Sequence, residues 1–219
     1  IYTCSRMQVY IWRLTMAKNT RTTLIRGIGT NNGKYYSWID GKTIIEYNIW
    51  QHMLFRCTES FWVKNPTYTG TTCSENFKSY SYFYEWCQSQ VGFKSRDENN
   101  RIWQLDKDLL LKRNKVYGED TCVFLPHKIN CLLTKRQNAR GQYPIGISWN
   151  KRDCRFQVGC NNDTGIKKAL GNYKTIEEAF QAYKTFKEAY IKQVANEYKD
   201  QLDPRAYQAL LNYRVEITD

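Results

Sequence analysis

The chain has little histidine, with two in 219 residues, and little proline, with four. Its eight cysteines form no CxxC pair, and its 21 acidic residues are outnumbered by 33 basic ones, for a net charge of +12. Each shortage excludes something. No apolar run is long enough to span a bilayer. Arg6 and Arg13 interrupt the first apolar stretch, so no secretory signal is expected. There is no GxxxxGK[ST] loop to cradle a nucleotide phosphate. Without CxxC, and in a chain too large to need staples, the cysteines read as reduced thiols, which suits a cytoplasmic protein. A zinc site from Cys57, Cys73 and Cys87 has poor spacing. Of the histidines, His52 lies beside a helical apolar stripe and reads as packing or surface, which leaves His127 for chemistry.

The excess of positive charge points to an anionic partner, most simply nucleic acid. It is concentrated early: residues 1–136 carry 20 basic against 11 acidic groups, or +9, and residues 137–219 carry 13 against 10, or +3. The chain opens on Ile1, which is no initiator; Met16, followed by AKNTRTT, is a plausible start. Residues 1–42 read as a basic arm, with Lys18, Arg21 and Arg26 among Gly27, Gly29 and Gly33. A helix is expected over 43–57 with a stripe at 45, 49 and 53, flanked by 50 and 54. Arg56, near its end, could reach a phosphate or brace the fold. Ser74 can cap a following helix that buries Phe77, Tyr80 and Phe83.

Residues 105–130, LDKDLLLKRNKVYGEDTCVFLPHKIN, carry the chemistry. A strand, a loop, a second strand (122–125) and a helix after Pro126 are expected. Oxygen ligands lie near both ends: Asp106 and Asp108 at one, Asn130 at the other, one helical turn from His127. A hard cation such as magnesium takes oxygen ligands, usually one or two from protein plus phosphate. Strand alternation puts Asp106 and Asp108 on one face with Lys107 opposite; a bulge would swap the assignment. After a basic linker at 135–141, a second module follows. Strands are expected over 145–149, 154–160 and 168–173. The capping box Thr175–Glu178 then opens a long helix, and past Pro204 comes a short helix, 205–213, that packs back or makes homodimer contacts.

The 105–130 stretch resembles the ββα-metal finger of HNH endonucleases. Together with WxxMxxRC (Trp50, Met53, Arg56, Cys57) and Asn65-Pro66-Thr67-Tyr68, it is similar to a group of tailed-phage HNH proteins. The resemblance places Asp106 on the family's Asp, Lys107 on its catalytic His, Thr121 on its middle Asn and Asn130 on its last position. It implies a magnesium-dependent, homing-type DNA endonuclease working in an infected host's cytoplasm, with Asp106, Asp108 and Asn130 toward the metal. Catalytic roles fall to Asp106, Lys107, His127 and Asn130. A lysine generally carries its proton near neutral pH unless buried or crowded, so Lys107 would stabilise the phosphate and His127 would serve as base. The second module, GISW…RFQV…LGNYKTIEEAFQAYK, resembles the Apetala/ethylene-response-factor DNA-binding domain. That resemblance implies a sheet in the major groove, with Trp149, Arg152, Arg155 and Gln157 reading bases and Lys151 and Lys168 on phosphates.

The expected fold is therefore α+β: a basic arm over 1–42, an HNH-like ββα unit over 43–136, a three-stranded antiparallel sheet with one helix over 137–198, and a helical tail over 199–219. The partner expected is double-stranded DNA, with no membrane. The rival is a non-catalytic, site-specific DNA-binding protein that keeps the finger as scaffold, supported by the missing histidine at 107. An RNA-binding module is disfavoured, because no RRM-type aromatic signature is present.

Overall fold

Trp50, Met53 and Leu54 are buried because they fall on one side of a helix, and the fold is assembled against that side. The computed structural model describes residues 23–134, 141–161 and 167–219. Residues 1–22, 135–140 and 162–166 lie outside them, including Lys18 and Arg21 of the expected arm. Two short strands, β1 (Trp38–Ile39) and β2 (Lys42–Thr43), form a hairpin that leads into α1 (Ile45–Arg56). There follow α2 (Glu59–Trp62), β3 (Thr72–Cys73) and α3 (Tyr80–Gln88). Then come β4 (Gln104–Asp106), β5 (Val116–Tyr117), β6 (Val123–Leu125) and α4 (His127–Leu133). The chain finishes with β7 (Ile147–Asn150), β8 (Arg155–Asn161), β9 (Lys167–Tyr173), α5 (Ile176–Glu197) and α6 (Pro204–Leu211). No described helix is long and apolar enough to cross a membrane.

The α1 stripe is rotated from the sequence expectation. Tyr47, Trp50, Met53 and Leu54 face inward, whereas Ile45 and Ile49 are only half-buried. Buried Glu46 can join that face because Lys94 (2.6 Å) and Gln88 (3.1 Å) satisfy it. The Trp50 indole donates to the Phe77 carbonyl (2.8 Å) and locks α1 to the turn before α3. Ser74 accepts from the Phe77 N–H in that turn, while Ser79 is the residue that precedes α3.

The expected basic arm is packed over its described part. Thr30 bonds backbone-to-backbone with Lys78 and Tyr80, and Tyr35 stacks on Tyr84 at 3.9 Å. The Arg26 guanidinium lies over Phe55, and Gly29 lies so close to Trp50 and Leu54 that it has no room for a Cβ. Close packing requires glycine at 29, whereas Gly27 and Gly33 stand in open space in the left-handed region (φ 72° and 75°).

The second module is the expected antiparallel sheet, β7–β8–β9, backed by α5 with its Thr175/Glu178 capping box in place. Its helix is shared. Ala179 and Tyr183 cover the sheet with Ile147 and Val158. Further along the same helix, Ile191, Val194 and Ala195 enter the first core, beside Ile129 and Trp103. The tail packs back: Asp203 caps α6 through the Arg205 N–H (2.8 Å), and Leu202, Ala206 and Leu210 complete the first core.

Candidate active site

Gln104 and Asp106 alternate with buried Leu105, so they share the face of β4 that looks away from the core. β4 pairs antiparallel with β6, Asp106 opposite Val123, and β6 runs through Pro126 directly into α4. His127 and Asn130 fall on the α4 face turned to β4, where Gln104 meets both. The Asn130 amide donates to Gln104 Oε1 at 2.7 Å, and Gln104 Nε2 lies 3.5 Å from His127 Nδ1. This is a strand–strand–helix arrangement with polar groups converging at its mouth.

β4 stops at Asp106 for a local reason. Its Oδ1 accepts from the backbone N–H groups of Asp108 (2.9 Å) and Leu109 (2.8 Å), a side-chain turn that takes the chain out of the ladder. Strand alternation therefore does not reach residue 108, and the expected pairing of Asp106 and Asp108 on one strand face is not realised. Asp108 instead accepts from the Lys107 ammonium (2.6 Å), which also donates to the Asn114 carbonyl (2.9 Å). Lys107 is only 5% exposed and lies between the rings of Tyr68 (5.5 Å) and Tyr117 (5.7 Å). Asn114 fastens the other side of the loop by donating to the carbonyls of Lys107 and Val116. Thr121 clips its turn by donating to the Val116 carbonyl (2.8 Å) and accepting from Gly118 N–H (3.1 Å).

A cleft of about 270 Å³ opens at this mouth. Asp106, Lys107, Asp108, His127 and Asn130 all border it, as do Arg56, Tyr68, Gln104, Tyr117 and Cys131. Arg56, the last residue of α1, is mostly buried, and the one described hydrogen bond of its side chain is a long one to the Tyr117 hydroxyl (3.4 Å). Burial opposes its charge, but the neighbouring Tyr117, Tyr68 and Asp106 outweigh that and hold it firmly cationic. Burial pushes the Asp106 carboxyl above its ordinary range; the Leu109 and Asp108 N–H groups pull against that shift. Cys131 is exposed, with its sulfur 3.1 Å from His127 Nε2.

Among the described residues no group of three or more His, Cys, Asp or Glu is disposed to hold a metal. The donor set nevertheless fits a hard cation that takes one or two protein oxygens. Asp106 spends Oδ1 on backbone N–H groups and keeps Oδ2, and Asn130 spends its N–H on Gln104 and keeps its carbonyl oxygen. Sequence reasoning missed Gln104 and Cys131. Gln104 lies two residues before Asp106, and Cys131 lies four after His127, so both spacings were available as signals.

The sheet of the second module puts the expected DNA contacts on both of its faces, with Trp149 38% exposed. Directly opposed residues share a face. Ser148, Gln157 and Asn172 are aligned across the three strands, and Asn150 opposes Arg155 on that same face. Trp149 opposes Phe156, which opposes Tyr173, and their face is the one turned to α5; Trp149 contacts the Phe156 ring at 4.8 Å. The parity of Trp149 with Ile147 places it there. A bulge at Val158/Gly159 shifts β9, so Lys168 opposes buried Cys160 and its ammonium lies over Phe186 of α5 (4.9 Å). Lys167 takes the outward position opposite Asn161, its stem lying across Gly159. Arg155 and Gln157 stay on the outer face. Lys151 and Arg152 sit in the exposed β7–β8 turn, with Arg152 paired to Asp153 (2.8 Å). Comparison with protein-family models, curated proteins and solved structures finds no match to this chain.

Proposed function

We propose that the protein is a magnesium-dependent endonuclease of the HNH type acting on double-stranded DNA, with the β7–β8–β9 sheet as its DNA-reading element. One observation carries this reading: Asp106 from the first strand and His127 and Asn130 from the helix of a strand–strand–helix unit converge on a cleft that also holds the Arg56 guanidinium. Asp106 and Asn130 would hold the cation. Bound there, a divalent ion neutralises charge developing on the phosphate and the leaving oxygen. Arg56 binds a non-bridging phosphate oxygen with guanidinium N–H groups that the fold leaves unspent. His127 takes the proton of the attacking water. Gln104 orients both groups by bonding the Asn130 amide and facing the His127 ring. Lys107 braces the loop that presents Asp106.

On the sheet, Arg155 and Gln157 are the side chains suited to guanine and adenine edges, and Lys167, Lys151 and Arg152 to phosphates. A homing role and action inside a phage-infected cell follow only from the resemblance of LDKD…TCVF and WxxMxxRC to tailed-phage proteins. A non-catalytic binder is favoured by one observation, the enclosure of Lys107 where the family carries its base. Nicking of supercoiled plasmid with magnesium and its loss with EDTA separate the two, since a binder needs no metal.

A further inference from the structure

We propose that residues 213–219 act as a strap that positions the 107–114 loop, and hence Asp106, with Lys112 and Glu216 as positioning residues. This rests on the nuclease reading and adds a part to it. The loop needs an outside hold. On its inner side it is fixed by the Asp106 turn and the Lys107–Asn114 bonds, and it crosses the left-handed region at Arg113 (φ 66°). On its outer side the contacts come from the end of the chain. Lys112 pairs with Glu216 (2.9 Å) and Asp219 (3.0 Å) and donates to the Arg214 carbonyl (3.1 Å), while Arg113 pairs with Glu216 (2.8 Å). The Lys112 ammonium also lies 5.6 Å from the Tyr213 ring centroid.

The other side of the strap is anchored in the second module. The Val215 N–H donates to Glu188 (2.9 Å), Lys184 donates to the Val215 carbonyl (2.6 Å), and the Val215 side chain is buried in the sheet's own core. A single exposed ion pair contributes little, but several charges sharing partners form a network that fixes geometry. Seven residues thus join the sheet module to the loop that carries the metal-binding aspartate. Their effect should appear in the chemical step rather than in DNA affinity, because none of them borders the cleft or the outer sheet face.

The test uses the full chain carrying Glu216→Gln or Lys112→Met. Glu216→Gln keeps side-chain length and removes the Glu216 charge that Lys112 and Arg113 share, and Lys112→Met keeps most of the stem and removes the Lys112 ion pairs. Expected are a roughly ten- to hundredfold lower kcat for plasmid nicking from misplacement of Asp106, an unchanged Kd for DNA, and faster hydrogen exchange at the Asp108 and Leu109 amides. Unchanged kcat per folded molecule and unchanged exchange at those amides, whatever the melting temperature, overturn the strap. Should the wild type nick no DNA with any divalent cation, the nuclease reading falls, and the exchange measurement alone still decides whether the strap holds the loop.

Discussion

Replacing Lys107 with methionine separates a structural lysine from a chemical one. The side chain is almost fully buried, and its ammonium donates to the Asn114 carbonyl and to Asp108. Methionine keeps most of the stem and volume but leaves that carbonyl without its charged donor. A hydrogen bond from a charged group contributes about 1.5–3 kcal/mol. The Tyr68 and Tyr117 rings add about 1 kcal/mol. The pair with half-exposed Asp108 adds at most about 1 kcal/mol. Against these stands relief from burying an ammonium, which returns part of the sum. The net loss should be about 2 kcal/mol. For a chain of this length that lowers Tm by roughly 4–8 °C, and urea unfolding followed by tryptophan fluorescence measures it directly. Nicking per folded molecule should fall by no more than the roughly ten- to hundredfold expected from loosening this loop, because Lys107 braces it without touching the reacting atoms. A variant as stable as the wild type that loses more than about a hundredfold in nicking would refute this, and would put the ammonium on the phosphate.

Other outcomes follow from the same geometry. Because burial raises the Asp106 pKa, the folded chain holds that proton more tightly than the unfolded chain. Its contribution to stability is full below the unfolded value of about 3.9 and is lost as pH rises through the folded value. Asp106→Asn should therefore melt higher than wild type near neutral pH in EDTA, and the gain should vanish in acid, while nicking falls by at least roughly a hundredfold. Gly29→Ala puts a methyl 2.4 Å from Leu54 and Trp50 in a core without slack, so urea unfolding should show a loss of about 1–3 kcal/mol. Gln157→Ala should relax base preference in a binding selection by about 1–3 kcal/mol at one position, and Lys167→Ala should weaken all sites alike and lower the salt slope by about one. Trp149→Ala should lower stability, with base preference unchanged, because its ring packs on Phe156.

Elements governed by local pattern were legible in the sequence. Pro126 starting α4, the Thr175/Glu178 box starting α5 and the alternation of β8 all appear where local chemistry puts them. The α1 stripe misled because Glu46 is buried against Lys94, a partner 48 positions away that no local pattern reveals. The residues before α1 looked like an arm because their glycines and bases are those of a mobile segment; the long-range contacts that pack them, Gly29 on Trp50 and Leu54 and Tyr35 on Tyr84, leave no local pattern. At the candidate site, the identities that converge were legible, but their directions were not. The Asp106 side-chain turn removes residues 107 and 108 from the strand, so alternation stops two residues too early for the two-carboxylate expectation. On the sheet, the Val158/Gly159 bulge exchanges Lys168 for Lys167, a one-residue slip that composition does not record.

The most direct test of the account is nicking of supercoiled plasmid by the wild type and by Asp106→Asn, each with magnesium and with EDTA. The account predicts nicking by the wild type with magnesium only and none above background by the variant. Nicking that persists in EDTA, or that Asp106→Asn retains in full, would contradict it.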